Sequence, residues 1–352
     1  ILINMSKKKL KIFLCDLTYD TIILVSDTIP INIGFVGSYI KKKFDSQVDI
    51  SLFKYPNDVI ENIKKDPPDI IALSNYSWNS NLSEYVASIS KKYNSNVVTI
   101  QGGTNFPHES HLQKIFLENR PATDIYTILE GEKSCSNVVQ KVLDSNGDRK
   151  KIFENAIDGC AFIKPESRKE KKNIFVKGKY LDRIKDLDEI PSPYLNGMLD
   201  KFFDGRLTPF IETNRGCPFT CSFCHTGADY FHKLNKFSEQ RVKDEIEYIG
   251  KKAGKLGITN LHMADVNFGM YPQDRITCEL LLSTNKKYLP KKIINKKIYQ
   301  FRKIKIDNKV LEFSKNFNNL HKKVYEDFMK NKGFDTTHII YIIKTLNNYF
   351  KI

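Results

Sequence analysis

The 352-residue chain, 41% hydrophobic and 28% charged, suits two domains with sizeable cores. It has no apolar run of about 18 residues or more, which excludes a transmembrane helix, and Ile1 to Leu10 lack the apolar core and cleavage site of a signal peptide. The net charge of +15 raises the question of a nucleic-acid partner. Residues 285–352, however, hold 17 Lys and Arg against 5 Asp and Glu, leaving a surplus of only 3 elsewhere, so the basicity is that of a solvated tail and argues against nucleic acid. Seven cysteines, an odd number with three tightly clustered, point to a reducing cytoplasm and not to a secreted disulfide framework. The chain opens at Ile1 with Met5 soon after, as a reading-frame extension or a fragment would.

Residues 10–147 alternate strand and helix patterns. Strands are predicted at 11–15, 48–53, 69–74, 97–101 and 124–129, each short, rich in Ile, Val, Leu or aromatics, and closed by polar or glycine positions. A helix is predicted over 81–93, where Leu82, Tyr85, Val86 and Ile89 recur at helical spacing. Such alternation gives an α/β domain, a flavodoxin-like (Rossmann-like) doubly wound parallel sheet with ligands at the carboxyl ends of the strands. Three strand-end loops then face one crevice: Ser74 to Asn79, Gln101 to Asn105, and Leu129 to Glu132. Gly102 and Gly103 admit close approach of a ligand to the backbone, and Glu132 suits the first turn of a helix. For any one loop, an ordinary turn of an α/β fold is the alternative. Cys15, on an apolar strand, reads as a small core residue.

Residues 148–208 read as a connector. A small hairpin is expected from 151–153, 159–163 and 173–177, followed by a plain linker in which Pro191 and Pro193 resist helix and central strand. A second domain starts near residue 209, with a strand at 210–213 and a helix N-capped by Ser238 that carries Val242, Ile246 and Ile249 on one face. A strand at 260–266 and a helix over 272–287 follow, and 291–294 offer one more strand. Residues 296–352 form a Lys/Asn/Ile-rich tail with helical stretches near 310–330 and 336–350.

The most informative stretch follows the strand at 210–213. Cys217, Cys221 and Cys224 stand in a Cys-x3-Cys-x2-Cys array. Three thiolates hold three irons of a [4Fe–4S] cube and leave the fourth iron open to a ligand. A structural zinc site needs a fourth Cys or His. His225 is at hand for that role, though awkwardly adjacent to Cys224. With Phe223 before the last cysteine and the run Thr213 to Phe219 around the first, the motif resembles the cluster motif of radical S-adenosylmethionine (SAM) enzymes. The subgroup it resembles carries an N-terminal cobalamin (B12)-binding-type domain, and the resemblance covers about residues 10–295.

The resemblance implies a radical SAM core of TIM-type (β/α) barrel architecture. Six strand–helix units need roughly 200 residues, whereas 128 follow Cys224, so a partial barrel is expected over 209–295, truncated or divergent at its end. It implies SAM on the open iron, cleavage to a 5′-deoxyadenosyl radical, and cobalamin-assisted methylation or radical rearrangement of a small-molecule metabolite, with electrons from a flavodoxin or ferredoxin. By the same resemblance Phe223 packs near the adenine of SAM, and Asp265 and Asn267 contact its methionine part, although the usual Gly-Gly-Glu-like motif is absent. The loops bearing Ser74, Gly102, Gly103, Thr104, Glu130, Gly131 and Glu132 resemble those of cobalamin-binding domains. Many such domains carry Asp-x-His-x-x-Gly. The corresponding loop here, Asp16 to Asp20, has no histidine, so a bound cobalt would take none from it. Two other readings stand beside this one. The first is a non-catalytic cluster- or corrinoid-binding remnant, favoured by the short barrel. The second is an RNA-modifying radical SAM enzyme, supported only by a basic tail without a recognisable RNA-binding module.

Overall fold

A computed structural model describes residues 9–20, 24–222 and 224–288. These fall within one compact unit, Ile1–Leu289. Phe223, the strand expected at 291–294, and the helical stretches expected near 310–330 and 336–350 lie outside the described residues.

Seven strands build the sheet: β1 (Leu10–Cys15), β2 (Val48–Phe53), β3 (Ile70–Ser74), β4 (Val98–Gly102), β5 (Ile125–Thr127), β6 (Cys160–Ile163) and β7 (Phe175–Lys177). Their order is β2-β1-β3-β4-β5-β6-β7, the first five parallel and the last two antiparallel. Between and after the parallel strands run α1 (Ile31–Phe44), α2 (Pro56–Lys65), α3 (Ser80–Tyr93), α4 (Ser110–Glu118) and α5 (Gly131–Asp144). The five predicted strands and the helix predicted over 81–93 meet these elements within two residues at each end. Their legibility has a physical cause. Successive strand residues point to opposite faces, and both faces of the inner strands are covered, so those strands are buried along nearly their whole length, whereas edge strand β2 leaves Asp49 exposed. Ile12, Leu14, Ile70 and Val98 join α1 and α5 in one core, while Phe13, Cys15, Ile71 and Leu73 join α2 and α3 in another.

The connector departs from expectation in three ways. Residues 151–153 make no strand; they run into α6 (Arg149–Ile152), which Asp148 caps by accepting the Lys150 backbone N–H. The other two hairpin segments are β6 and β7, bridged by α7 (Pro165–Lys169), and they extend the main sheet from β5. Phe162 packs on one face of the sheet while Ala161 and Ile163 pack on the other, so β6 needs cover on both sides. Nor is the proline segment a plain tether. Leu187, Ile190, Tyr194, Leu199, Phe202 and Leu207 are buried in the same core as α1 and α5. Burial of these side chains outweighs the missing periodicity. The Tyr194 hydroxyl donates to Phe210 O (2.7 Å) and accepts from Phe210 N (3.2 Å), which pins the segment to the next strand.

That strand, β8 (Phe210–Ile211), is followed by β9 (Asn214–Arg215) and β10 (Asn235–Lys236), an antiparallel pair with the cysteine loop between them. α8 (Glu239–Lys255) leads to β11 (His262–Met263), which pairs in parallel with β8, and α9 (Pro272–Tyr288) packs on α8. Ser238 caps α8 by accepting the Arg241 N–H, and Val242, Ile246 and Ile249 are buried, as their spacing requires. Both parallel strands are only two residues long, shorter than the 210–213 and 260–266 expected. The Asp265 carboxylate, accepting the backbone N–H groups of Thr213 and Asn214, takes the place of a longer ladder. Among the described residues no helix is long and apolar enough to cross a membrane.

At the amino end of β5, Asp124 accepts from Lys91 Nζ (2.7 Å), Arg149 Nη2 (2.8 Å) and Thr99 N (3.0 Å). Burial pushes this carboxyl up, but the two cations outweigh burial and hold it below the ordinary carboxylate range. Asp124→Ala strands two partly buried cations and is expected to cost about 3–5 kcal/mol in urea unfolding at pH 7. A depressed folded-state pKa stabilises above the unfolded value of about 3.9 and stops doing so as pH falls below it. The gap between wild type and variant should therefore hold through neutral pH and narrow only in acid.

Candidate functional site

The carboxyl ends of β3, β4 and β5 open on a cavity of about 760 Å³. Ser74, Gly102, Gly103, Thr104, Glu130, Gly131 and Glu132, predicted from three separate loops, all line it. Its other side comes from the cysteine loop, through Gly216, Thr226, Ala228, Tyr230 and Phe231. The cavity lies where the order β2-β1-β3 reverses direction, the place where open α/β sheets leave a crevice.

The crevice loops are held by their own polar groups. The Ser74 hydroxyl donates to the Asp16 carboxylate, whose other oxygen accepts from Lys54 Nζ at 2.9 Å. Lys54 is 1% exposed, so this ion pair is sealed from water. The loop without a histidine thus spends its acid on a lysine that sequence reading missed. Nothing local links two residues 38 apart. Asn75 joins the β3 and β4 loops by donating to Gln101 and accepting from Asn105. Gly103 makes that approach feasible, because at φ +135° a Cβ would stand 2.6 Å from Asn75 O.

The two glutamates are not free. Glu130 accepts from Arg183 Nε (3.0 Å) and from Ile184 N (3.1 Å). Glu132 accepts from Arg215 Nη2 (2.8 Å), and Arg215 Nε donates to Glu212 (2.9 Å). One guanidinium therefore serves two carboxylates. Burial pushes the Glu212 carboxyl up to about 7 despite Arg215, with Glu132 and Asp265 adding repulsion. Glu212, Arg215 and Arg183 all line the cavity and were not singled out from sequence as site residues.

The cysteine loop closes on itself at Gly216, whose φ of +118° and 2.3 Å Cβ approach to Lys233 O admit no side chain. Beyond it Cys217 N donates to Phe231 O at 2.8 Å. Cys217 is buried and its Sγ accepts from Asn267 Nδ2 at 3.0 Å; Cys224 is half-buried and Cys221 exposed. The Thr226 hydroxyl, 3.1 Å from Cys224 Sγ, holds that thiol below its usual range. None of the three is in a disulfide. Among the described residues no three Cys, His, Asp or Glu side chains gather closely enough to share a metal, so the thiols occupy one loop without converging. Asp265 is committed to Thr213 and Asn214, accepting from both backbones and from Asn214 Nδ2 at 2.8 Å. Asn267 touches Cys217, and neither Asp265 nor Asn267 lines the cavity.

No family model matches the chain. It is 30% identical over 258 residues to the cobalamin-dependent radical SAM methyltransferase TokK of Streptomyces tokunonensis, covering 70% of this chain and 35% of that enzyme. It is 29% identical over 213 residues to the 2-(S-pantetheinyl)-carbapenam-3-carboxylate methyltransferase of Streptantibioticus cattleyicolor, covering 59% of this chain and 28% of that one. The chain thus spans about a third of the length of these relatives. Among solved structures, the cobalamin-dependent S-adenosylmethionine radical enzyme OxsB, with aqua-cobalamin and S-adenosylmethionine bound, superposes with a TM-score of 0.57 at 18% identity. That match covers 80% of this chain and 37% of OxsB. The likeness is one of fold: a mixed α/β architecture with a seven-stranded, mostly parallel sheet.

Arg215→Ala leaves Glu132, 3% exposed, without its counter-ion and is expected to cost about 3–5 kcal/mol in urea unfolding, with Arg215→Lys losing less. Glu212 gives a pH signature. Its folded-state value near 7 exceeds the ordinary 4.5, so the folded protein binds the extra proton and wild-type stability falls as pH rises through that window. Paired unfolding curves should show Glu212→Gln free of that decline, and parallel curves for the two proteins would contradict the assignment.

Proposed function

This chain belongs to the radical SAM family, with cobalamin-dependent methyltransferases among its relatives, and from this we propose that it carries the cofactor-binding part of a radical SAM methyltransferase acting on a small molecule. In this reading residues 10–147 are a flavodoxin-like, cobalamin-binding-type domain, 148–208 its connector, 209–295 a partial radical SAM barrel and 296–352 a basic tail. One observation carries it: the crevice loops and the cysteine loop border a single cavity and are tied together by Glu132–Arg215 and by Arg183, which bonds both Glu130 and Lys233 O.

The donor set matches the implied groups in kind, with the three thiols on one loop but not yet converged. Cys217, Cys221 and Cys224, three thiols outside any disulfide with an amide donor on one and a hydroxyl on another, would hold the cluster. The Gly102–Gly103 edge and the apolar wall, including Phe35, Val36 and Phe106, suit a large corrin ring. Asp16 is taken up by Lys54, and its loop, Asp16 to Asp20, has no histidine to offer the cobalt. When bound, a [4Fe–4S] cluster supplies the electron that cleaves SAM, and cobalamin supplies a methyl carrier. This chain's own residues do the rest. Phe223 and Asn267 would face SAM, and Asp265 would act by holding Thr213 and Asn214 in place, while Arg215 and Glu132 hold the cysteine loop over the sheet. Ser74 and Thr104 would face the corrinoid, and a flavodoxin or ferredoxin would deliver electrons.

The two-residue lengths of β8 and β11 favour a second reading, a cluster- or corrinoid-binding protein without turnover. One experiment separates the two. The protein is reconstituted anaerobically with iron, sulfide and hydroxocobalamin, then given SAM and a strong reductant. Formation of 5′-deoxyadenosine that disappears in Cys221→Ala is the expected result. A verified four-iron cluster that yields no such product would leave only the binding reading.

A further inference from the structure

Among the described residues that line the cavity, one buried side-chain polar atom has no hydrogen-bond partner. Gln113, on α4, lines the cavity and is 1% exposed. Its Nε2 donates to Pro107 O at 2.8 Å and more weakly to His108 O at 3.4 Å, which draws the loop after β4 onto the helix. Those two bonds also settle which end of the amide is nitrogen, since a reversed amide would set oxygen against two carbonyls. Its Oε1 is shielded from solvent and has no hydrogen-bond donor. A buried carbonyl without a donor is a standing cost, which a ligand N–H would remove. The terminal amide torsion is soft, so the oxygen of this cavity-lining residue can reorient toward a ligand without a change of backbone.

We propose that Gln113 is a recognition residue for the carboxamide rim of a corrinoid, its Oε1 accepting a primary amide N–H from a ligand side chain. This rests on the corrinoid reading of the cavity given above. The chemistry favours an amide over other partners. An anion would meet the bare carbonyl oxygen with repulsion, and a cation would have to leave water for an apolar wall whose glutamates are already paired with Arg183 and Arg215. A neutral donor is what a lone carbonyl in an apolar wall selects.

The test compares two corrinoid probes with the 352-residue chain. Dicyanocobinamide carries amide side chains, whereas dicyanocobyrinic acid heptamethyl ester has esters with no N–H. Binding is followed by corrin absorbance and by quenching of Trp78, the single tryptophan, which stacks on the cavity residue Tyr76 at 4.6 Å. Wild type is expected to hold the amide probe about tenfold more tightly than the ester. Gln113→Leu should lose about tenfold for the amide, leave the ester unchanged, and so level the two; Gln113→Met serves if the leucine variant does not fold. Equal affinities in wild type, or a variant that weakens both probes alike, or one that leaves the preference intact, would overturn the role of Gln113 while leaving a corrinoid site standing. Binding of neither probe by wild type would overturn the corrinoid reading, and this inference with it.

Discussion

The Arg215 guanidinium, shared between Glu132 and Glu212, is the contact on which the ligand side of this molecule depends. Glu132 opens α5 at the carboxyl edge of the sheet, and Arg215 stands two residues before the first cysteine. A buried pair of this kind adds little net stability compared with apolar packing, yet breaking it is costly, because each lone charge would stay out of water. Its effect is thus positional. The cysteine loop has one favourable seat over the sheet, and departing from it strands a carboxylate. Arg183, reaching Glu130 from the connector and lying over the Tyr230 ring, repeats the device from a second direction.

Around that joint the polar groups of the crevice loops are largely committed to one another. Ser74 answers Asp16, Asp16 answers Lys54, Asn75 answers Gln101 and Asn105, and both glutamates answer arginines. Such closed networks rigidify their loops and leave the cavity to be read through shape and apolar surface. The same logic changes the meaning of two loop positions. Asp265, which by its place after a strand resembles a ligand contact, is a clamp that substitutes for strand pairing. Asn267, beside it, reaches the sulfur of Cys217 and so connects the second strand's loop to the cysteine loop.

Much of the architecture was legible along the chain. β1, β3, β4 and β5 are covered on both faces, so burial shows as short stretches rich in apolar residues, and α/β alternation then sends the three loops to one edge. The cysteine motif was equally legible, being a spacing within eight residues, Cys217 to Cys224. The connector was not. Leu187, Ile190, Tyr194 and Leu199 have no strand or helix period, yet all are buried, because irregular backbone can still lay apolar side chains on α1 and α5. Likewise β6 and β7 looked like a separate hairpin, since sequence shows that two strands pair with each other but not that one also pairs with β5.

By itself, then, the sequence determined the α/β class, the carboxyl-edge location of the crevice, the cysteine array and the family resemblance, all of which are carried by residues within a turn, a strand or a loop of one another. Only the tertiary structure decided which carboxylates are paired, which loops share a wall with the cysteines, and that Gln113 keeps an unanswered carbonyl. The reason is physical. Periodicity and spacing are local, whereas Glu132 and Arg215 are 83 residues apart and Glu130 and Arg183 are 53 apart. Partners at that separation are selected by how the layers dock and by the cost of leaving a charge unpaired in the interior, and neither is written in the residues beside them.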